Sequence, residues 1–139
     1  MIAPLKSLDT PGTPDPKLVL LVEDEASLQE AAKLKLTQLG VPVILARSGE
    51  EALGVLKTTL PALIWLDLLL PGMNGLELLR TVKSDPRLKD IPVVVVSVSG
   101  GEQKIKEAMA LNAADYIVKS QYPLKEIVER VKGVLDRLK

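Results

Sequence analysis

The chain has 139 residues, 47% of them hydrophobic and 26% charged, which suits one globular domain with a sizeable core and is too short for two. Lys plus Arg and Asp plus Glu both count 18, and Trp65, Tyr116 and Tyr122 are the only aromatics, so neither the basic footprint nor the stacking platform of a nucleic-acid binder is present. The absence of Cys and His excludes disulfides, thiolate nucleophiles, Cys- or His-ligated metals, Ser-His pairs and a phosphohistidine on these residues, which leaves carboxylates, hydroxyls, lysines and a hard metal ion for any chemistry.

Residues 1–16 carry Pro4, Pro11, Pro14 and Pro16 with Gly12, a density that opposes helix and sheet, and read as a flexible leader or cloning remnant ahead of a domain at 17–139. There is no basic region followed by an apolar run and no uncharged stretch near the ~18 residues of a membrane span, so a soluble, cytoplasmic protein without membrane contact is expected. From Lys17 short aliphatic runs alternate with segments of helical period. Leu18–Val22 reads as a strand, followed by a helix with Leu28, Ala31, Ala32, Leu36 and Leu39 at helical spacing and a stop at Gly40. Val41–Ala46 is the second strand, Gly49–Leu60 a helix ending before Pro61, and Ala62–Leu66 the third strand. Leu68–Asn74, with Pro71 and Gly72, reads as a loop, Gly75–Lys83 as a helix and Ser84–Asp90 as a connection. Ile91–Val98 is the most β-branched run and shows no polar alternation, as a strand buried on both faces would. A helix from Glu102 to about Leu111, a strand at Asp115–Val118 and an amphipathic helix carrying Leu124, Ile127, Val128, Val131, Val134, Leu135 and Leu138 complete the chain.

Five βα units in tandem imply an open, doubly wound parallel α/β sheet with right-handed crossovers and helices on both faces, and such sheets bind ligands beyond the carboxyl ends of their strands. At those ends stand Glu23, Asp24 and Glu25, then Asp67, Ser97 and Lys119. If the strand order is 2-1-3-4-5, the first and third strands are neighbours ~4.8 Å apart and Glu23, Asp24 and Asp67 converge. Carboxylates so close call for a hard divalent cation, and Mg²⁺ prefers one or two carboxylates plus waters and a phosphate. Lys119, roughly 10 Å from Asp67 at its backbone, would reach the oxygens of a phosphoryl group on Asp67, with the Ser97 hydroxyl as a further donor. Each residue alone has a plainer explanation: Asp24 as a helix N-cap, Ser97 or Ser99 as the cap of the fourth helix, Lys119 as a snorkelling surface lysine. Asp67 resists one, because it follows a mostly apolar run and precedes Leu68–Leu70 rather than a helix it could cap. Trp65 reads as core filling.

The ordered set Val22-Glu23-Asp24-Glu25, Leu66-Asp67-Leu68-Leu69-Leu70-Pro71-Gly72-Met73-Asn74-Gly75, Ser97 at a strand end and Tyr116-Ile117-Val118-Lys119 resembles the receiver domain of two-component response regulators over about residues 17–138. The resemblance implies a flavodoxin-like fold with sheet order 2-1-3-4-5, Asp67 as phosphoacceptor, and Mg²⁺ held by Glu23, Asp24, Asp67 and the backbone carbonyl of Leu69. It further implies that Ser97 and Lys119 contact the phosphoryl oxygens and that Tyr116 is a rotameric switch. The implied donor is a phosphohistidine on a histidine kinase or histidine phosphotransfer protein, in trans because the chain has no His. The implied readout is an altered surface on the fourth helix, fifth strand and fifth helix that docks a downstream protein. Such a chain is a stand-alone switch or phosphate shuttle, a monomer or weak homodimer, and not a turnover enzyme.

Three departures from the family stand out. Val98 follows the hydroxyl position where a small residue is usual, and Leu69 and Ser99 occupy positions that tune acyl-phosphate lifetime in the family, so slow self-dephosphorylation is expected. Ser120 follows Lys119 where proline is common, which bears on how the Lys119 side chain is aimed. A pseudo-receiver acting as an unphosphorylated interaction module is the first rival. A phosphatase or phosphotransferase of the haloacid dehalogenase type is the second, although it wants an Asp at the place of Leu69. Nucleotide binding is weaker, because no phosphate-cradling glycine loop occurs.

Overall fold

The computed structural model describes residues 17–98 and 101–138. The leader at 1–16 and the tuning residue Ser99 lie outside the described residues. Five parallel strands, β1 (Val19–Val22), β2 (Val43–Ala46), β3 (Leu63–Leu66), β4 (Val93–Ser97) and β5 (Asp115–Val118), form one sheet in the order β2-β1-β3-β4-β5. The helices are α1 (Ala26–Gln38), α2 (Gly49–Leu56), α3 (Gly75–Ser84), α4 (Glu102–Ala110) and α5 (Leu124–Asp136), giving the expected flavodoxin-like (βα)5 arrangement.

The period of two along each strand divides the aliphatic residues between two cores. Leu20, Val22, Ile64, Leu66, Val93 and Val95 face Ala52 and Leu56 of α2, Leu78, Leu79 and Val82 of α3 and Ala108 of α4. Val19, Leu21, Leu63, Trp65, Val94, Val96 and Ile117 face Ala32 and Leu36 of α1 and Ile127, Val128, Val131 and Leu135 of α5. This is why the strands read as continuous apolar runs: both faces are covered, and each fully buried Val or Leu contributes roughly 1.5–3 kcal/mol relative to exposure. Trp65 is fully buried, as its reading as core filling requires.

Several boundaries differ from the sequence expectation, each for a local reason. β2 and β4 begin at Val43 and Val93 rather than Val41 and Ile91, because Pro42 and Pro92 have no N–H to give the ladder. Val41 N–H is instead spent on Leu36 O and Gly40 N–H on Thr37 O, the bonds of a Schellman close to α1, with Gly40 at φ +80°. β1 and β3 likewise start one residue inside their predicted runs. α2 ends at Leu56, four residues before the predicted Leu60: Thr58 and Thr59 are β-branched, and Leu60 precedes Pro61, which disfavours the helical region. β4 stops at Ser97, since its partner β5 ends at Val118 and turns into a short 3₁₀ segment, Lys119–Gln121, that the sequence reading had not anticipated. On α1 the buried stripe is Gln29, Ala32 and Leu36, not Leu28, Ala31 and Leu39, and Leu39 is exposed. Among the described residues no helix is long and apolar enough to cross a membrane.

Candidate functional site

The register Val22↔Leu66 puts the next residues, Glu23 and Asp67, side by side as the first to leave the sheet. Their backbones still extend the ladder: Glu23 N–H donates to Ala46 O and Asp67 N–H to Val22 O, both at 3.0 Å. Glu23 is 1% and Asp67 4% exposed, so each carboxylate is held by the sheet in a place where it needs a partner. Gln29, buried on the inner face of α1, donates to Glu23 O at 3.0 Å and Ala46 O at 3.2 Å and ties the ends of β1 and β2 together. Sequence reasoning missed Gln29; its signal was a polar residue three and seven positions before the apolar Ala32 and Leu36.

Lys119 supplies the partner. From the 3₁₀ turn after β5 its Nζ reaches Glu23 Oε1 at 2.9 Å and Asp67 Oδ2 at 3.1 Å, with 12% of its side chain exposed. The reading of Lys119 as a snorkelling surface lysine is thereby corrected. No peptide bond among the described residues is cis, and Ser120 in place of proline does not divert the ammonium from the carboxylates. The second Asp67 oxygen, Oδ1, accepts Leu69 N–H at 2.9 Å, which folds the start of the β3–α3 loop back over the carboxylate.

Burial pushes the Glu23 carboxyl up to about 7; the Lys119 hydrogen bond restrains that rise and the Asp67 charge adds to it. For Lys119, burial works against the charge, but its bonds and proximity to Glu23 and Asp67 outweigh it and hold the ammonium above its ordinary range. Asp24 is exposed at the edge of this group, and one carboxylate oxygen each from Glu23, Asp24 and Asp67 lie within 4.8 Å of one another. Asp24 does not cap α1, whose N-cap is Glu25 with no side-chain bond. Three carboxylates close together, two of them sharing the Lys119 ammonium, are a set of hard oxygen donors that fits Mg²⁺.

Ser97, at the end of β4, is fully buried and does not cap α4, whose N-cap is Gly101. Its Oγ lacks a partner in hydrogen-bond geometry among the described residues. The registers Val95↔Tyr116 and Ser97↔Val118 carry Tyr116 to the neighbouring strand. Burial pushes the Tyr116 phenol up, the nearby Ser97 hydroxyl opposes the rise and the Asp67 charge adds to it. Leu69 and Val98 stand at the rim, 49% and 53% exposed, which makes them the large apolar side chains that solvent or a partner meets first. A cavity of about 720 Å³ lies at the opposite end of the sheet among Leu39, Val41, Ala62, Ile91 and Leu135, far from this chemistry.

Comparison with known proteins agrees with this geometry. Residues 19–132 match the model of the response regulator receiver domain family. The phosphate regulon transcriptional regulatory protein PhoB of Pseudomonas aeruginosa is 36% identical over 121 residues, 87% of this chain and 52% of that protein. The chain thus spans about half the length of the curated relatives it matches. The crystal structure of the Mn²⁺-bound form of response regulator Rcp1 superposes with a TM-score of 0.78 at 32% identity, covering 89% of this chain and 98% of that one. The phosphorylated cyanobacterial phytochrome response regulator RcpA gives 0.74 at 37% identity, covering 85% and 90%. With an acidic cluster at the ends of β1 and β3, a lysine bound to it and a family match over nearly the whole described domain, the chain belongs to the response regulator receiver domains, the phosphoacceptor switches of two-component signalling.

Proposed function

We propose that Asp67 is the phosphoacceptor and that the phosphoryl group comes from a phosphohistidine of a histidine kinase or histidine phosphotransfer protein. The observation that carries the reading is the state of the Asp67 carboxylate: nearly buried, with one oxygen on Leu69 N–H and the other on the Lys119 ammonium that Glu23 shares. An oxygen of Asp67 attacks phosphorus in line, the O–P bond forms as the N–P bond to the imidazole breaks, and the imidazole leaves with a proton. The donor histidine lies outside these 139 residues. Glu23, Asp24, Asp67 and the backbone carbonyl of Leu69 would hold Mg²⁺, which when bound neutralises charge on the transferring phosphoryl oxygens. Lys119 does the same from the other side, exchanging its bond to Asp67 for one to a phosphoryl oxygen. The Ser97 hydroxyl, buried and with no partner in hydrogen-bond geometry among the described residues, donates to another of those oxygens. That bond draws Ser97 toward the phosphoryl group and fixes Tyr116 in the space beside it, so the α4–β5–α5 surface changes its affinity for a downstream protein. The acyl phosphate is a timed signal, and the domain catalyses its own loading and decay without turning over a substrate.

The test uses beryllofluoride with Mg²⁺ as a mimic of the aspartyl phosphate, followed by amide and side-chain NMR. The wild type is expected to form a complex that shifts the signals of Ser97, Tyr116 and Lys119, and Asp67→Ala to show none of these shifts. A wild type that forms no complex would contradict the reading and favour an unphosphorylated interaction module.

A further inference from the structure

The β3–α3 loop, residues 68–74, carries the Leu69 backbone next to Asp67, and its two ends are pinned. At one end Leu69 N–H bonds Asp67 Oδ1 at 2.9 Å. At the other, Asn74 and Glu77 form a reciprocal capping box at the start of α3, with bonds of 2.9 and 3.1 Å. The middle is held from a different element. Glu50, in the first turn of α2, accepts Met73 N–H on Oε2 at 3.1 Å across 23 positions of sequence. Gly72 makes room for this carboxylate: it has φ +69°, and a Cβ there would lie 2.9 Å from Glu50 Oε2 and 3.2 Å from Oε1. The contact is returned by the loop, since Met73 packs on Gly49, where an added Cβ would meet Met73 Sδ at 3.0 Å.

An acidic residue in a first helical turn is usually explained by the helix dipole. Here Glu51, its neighbour, already serves the helix start by accepting Arg47 N–H at 2.7 Å, while the Ser48 hydroxyl accepts Glu51 N–H at 3.0 Å. Glu50 is left to the loop. We infer that Glu50 is a positioning residue of the phosphorylation site, acting through the Gly72–Met73 backbone to fix the loop that presents Leu69 to Asp67 and to the divalent cation. The inference rests on the reading of Glu23, Asp24, Asp67 and the Leu69 carbonyl as the cation ligands, and it adds a residue on α2 that touches none of them.

The experiment titrates Mg²⁺ into the full chain of wild type, Glu50→Ala and Glu50→Gln, with affinity read from amide shifts and hydrogen exchange followed at Met73. Gln keeps an oxygen that can accept Met73 N–H and loses only the charge. Glu50→Ala should weaken Mg²⁺ binding by about tenfold and speed exchange at Met73, whereas Glu50→Gln stays within about twofold of wild type in both. Equal Mg²⁺ affinity in Glu50→Ala and wild type would overturn the inference. So would a Gln variant as weak as the Ala variant, which would make Glu50 a source of charge rather than a hinge of the loop. A wild type that shows no Mg²⁺ response would instead overturn the ligand reading beneath it, and that outcome is recognised before any variant is compared.

Discussion

The metal-free protein should lose stability as the pH rises through neutrality, and Glu23 sets the size of the loss. Its carboxyl has an ordinary value of 4.5 and is pushed to about 7 in the fold, chiefly by burial. Between those values the folded state keeps a proton that the unfolded chain has released, so the stabilisation is fully present below 4.5 and is gone once the pH passes about 7. From about pH 5 to about pH 7.5 the linkage relation gives a loss of about 2 kcal/mol from this one group. The window is unusually clean, because a chain without His or Cys has few other side chains that change charge there. Urea unfolding in chelator at both pH values measures the difference, and Glu23→Gln, which cannot titrate, should flatten it. A wild-type stability that is level or rises over this range, or a Gln variant with the wild-type slope, would refute the reasoning.

Three further outcomes follow from the same geometry. Lys119→Met removes the ammonium that both buried carboxylates share, and at neutral pH in chelator should cost about 3 kcal/mol in urea unfolding, with only part of the loss recovered near pH 5, because Glu23 takes up its proton there in the wild type as well. Gly75→Ala would place a Cβ 2.4 Å from Leu68 Cα and 2.6 Å from Asp67 O, backbone atoms that cannot turn aside; thermal unfolding should show a loss of at least about 2 kcal/mol and phosphorylation should be impaired, whereas an unperturbed variant would mean the loop is looser than it stands. Leu69→Asn and Val98→Ala exchange the exposed apolar rim for a polar or smaller one and should speed decay of the phosphorylated form several-fold by admitting and orienting water, read as loss of phosphoryl mass with time; unchanged decay would remove the rim from any role in its lifetime.

The candidate site was readable in the sequence because a parallel sheet delivers every strand to the same edge. Once Leu18–Val22, Ala62–Leu66, Ile91–Val98 and Asp115–Val118 were recognised as strands, Glu23, Asp67, Ser97 and Lys119 followed as their carboxyl ends, and topology brought them together. What stayed hidden depended on partners distant in sequence or on groups that compete for one hydrogen. Val41 fits a strand by composition, but its N–H closes α1 through Leu36 O. Gln29 breaks the apolar pattern of α1 because its amide is bonded to Glu23 O and Ala46 O, acceptors that no local periodicity foretells. Glu50 carries no signal in the sequence beyond its place in the first turn of a helix, and only the arrival of Gly72 and Met73 beside it gives it another role. The 3₁₀ turn after β5, from which Lys119 reaches both carboxylates, was likewise announced by neither composition nor spacing.

The central claim is that Asp67 takes a phosphoryl group with the help of a divalent ion, and intact mass tests it most directly. Wild type and Asp67→Asn are incubated with a small acyl-phosphate donor and Mg²⁺, and again with chelator. The account predicts one added phosphoryl group on the wild type, absent from the variant and absent without the metal. A wild type that gains no mass, or an Asp67→Asn variant that gains it equally, would contradict the account.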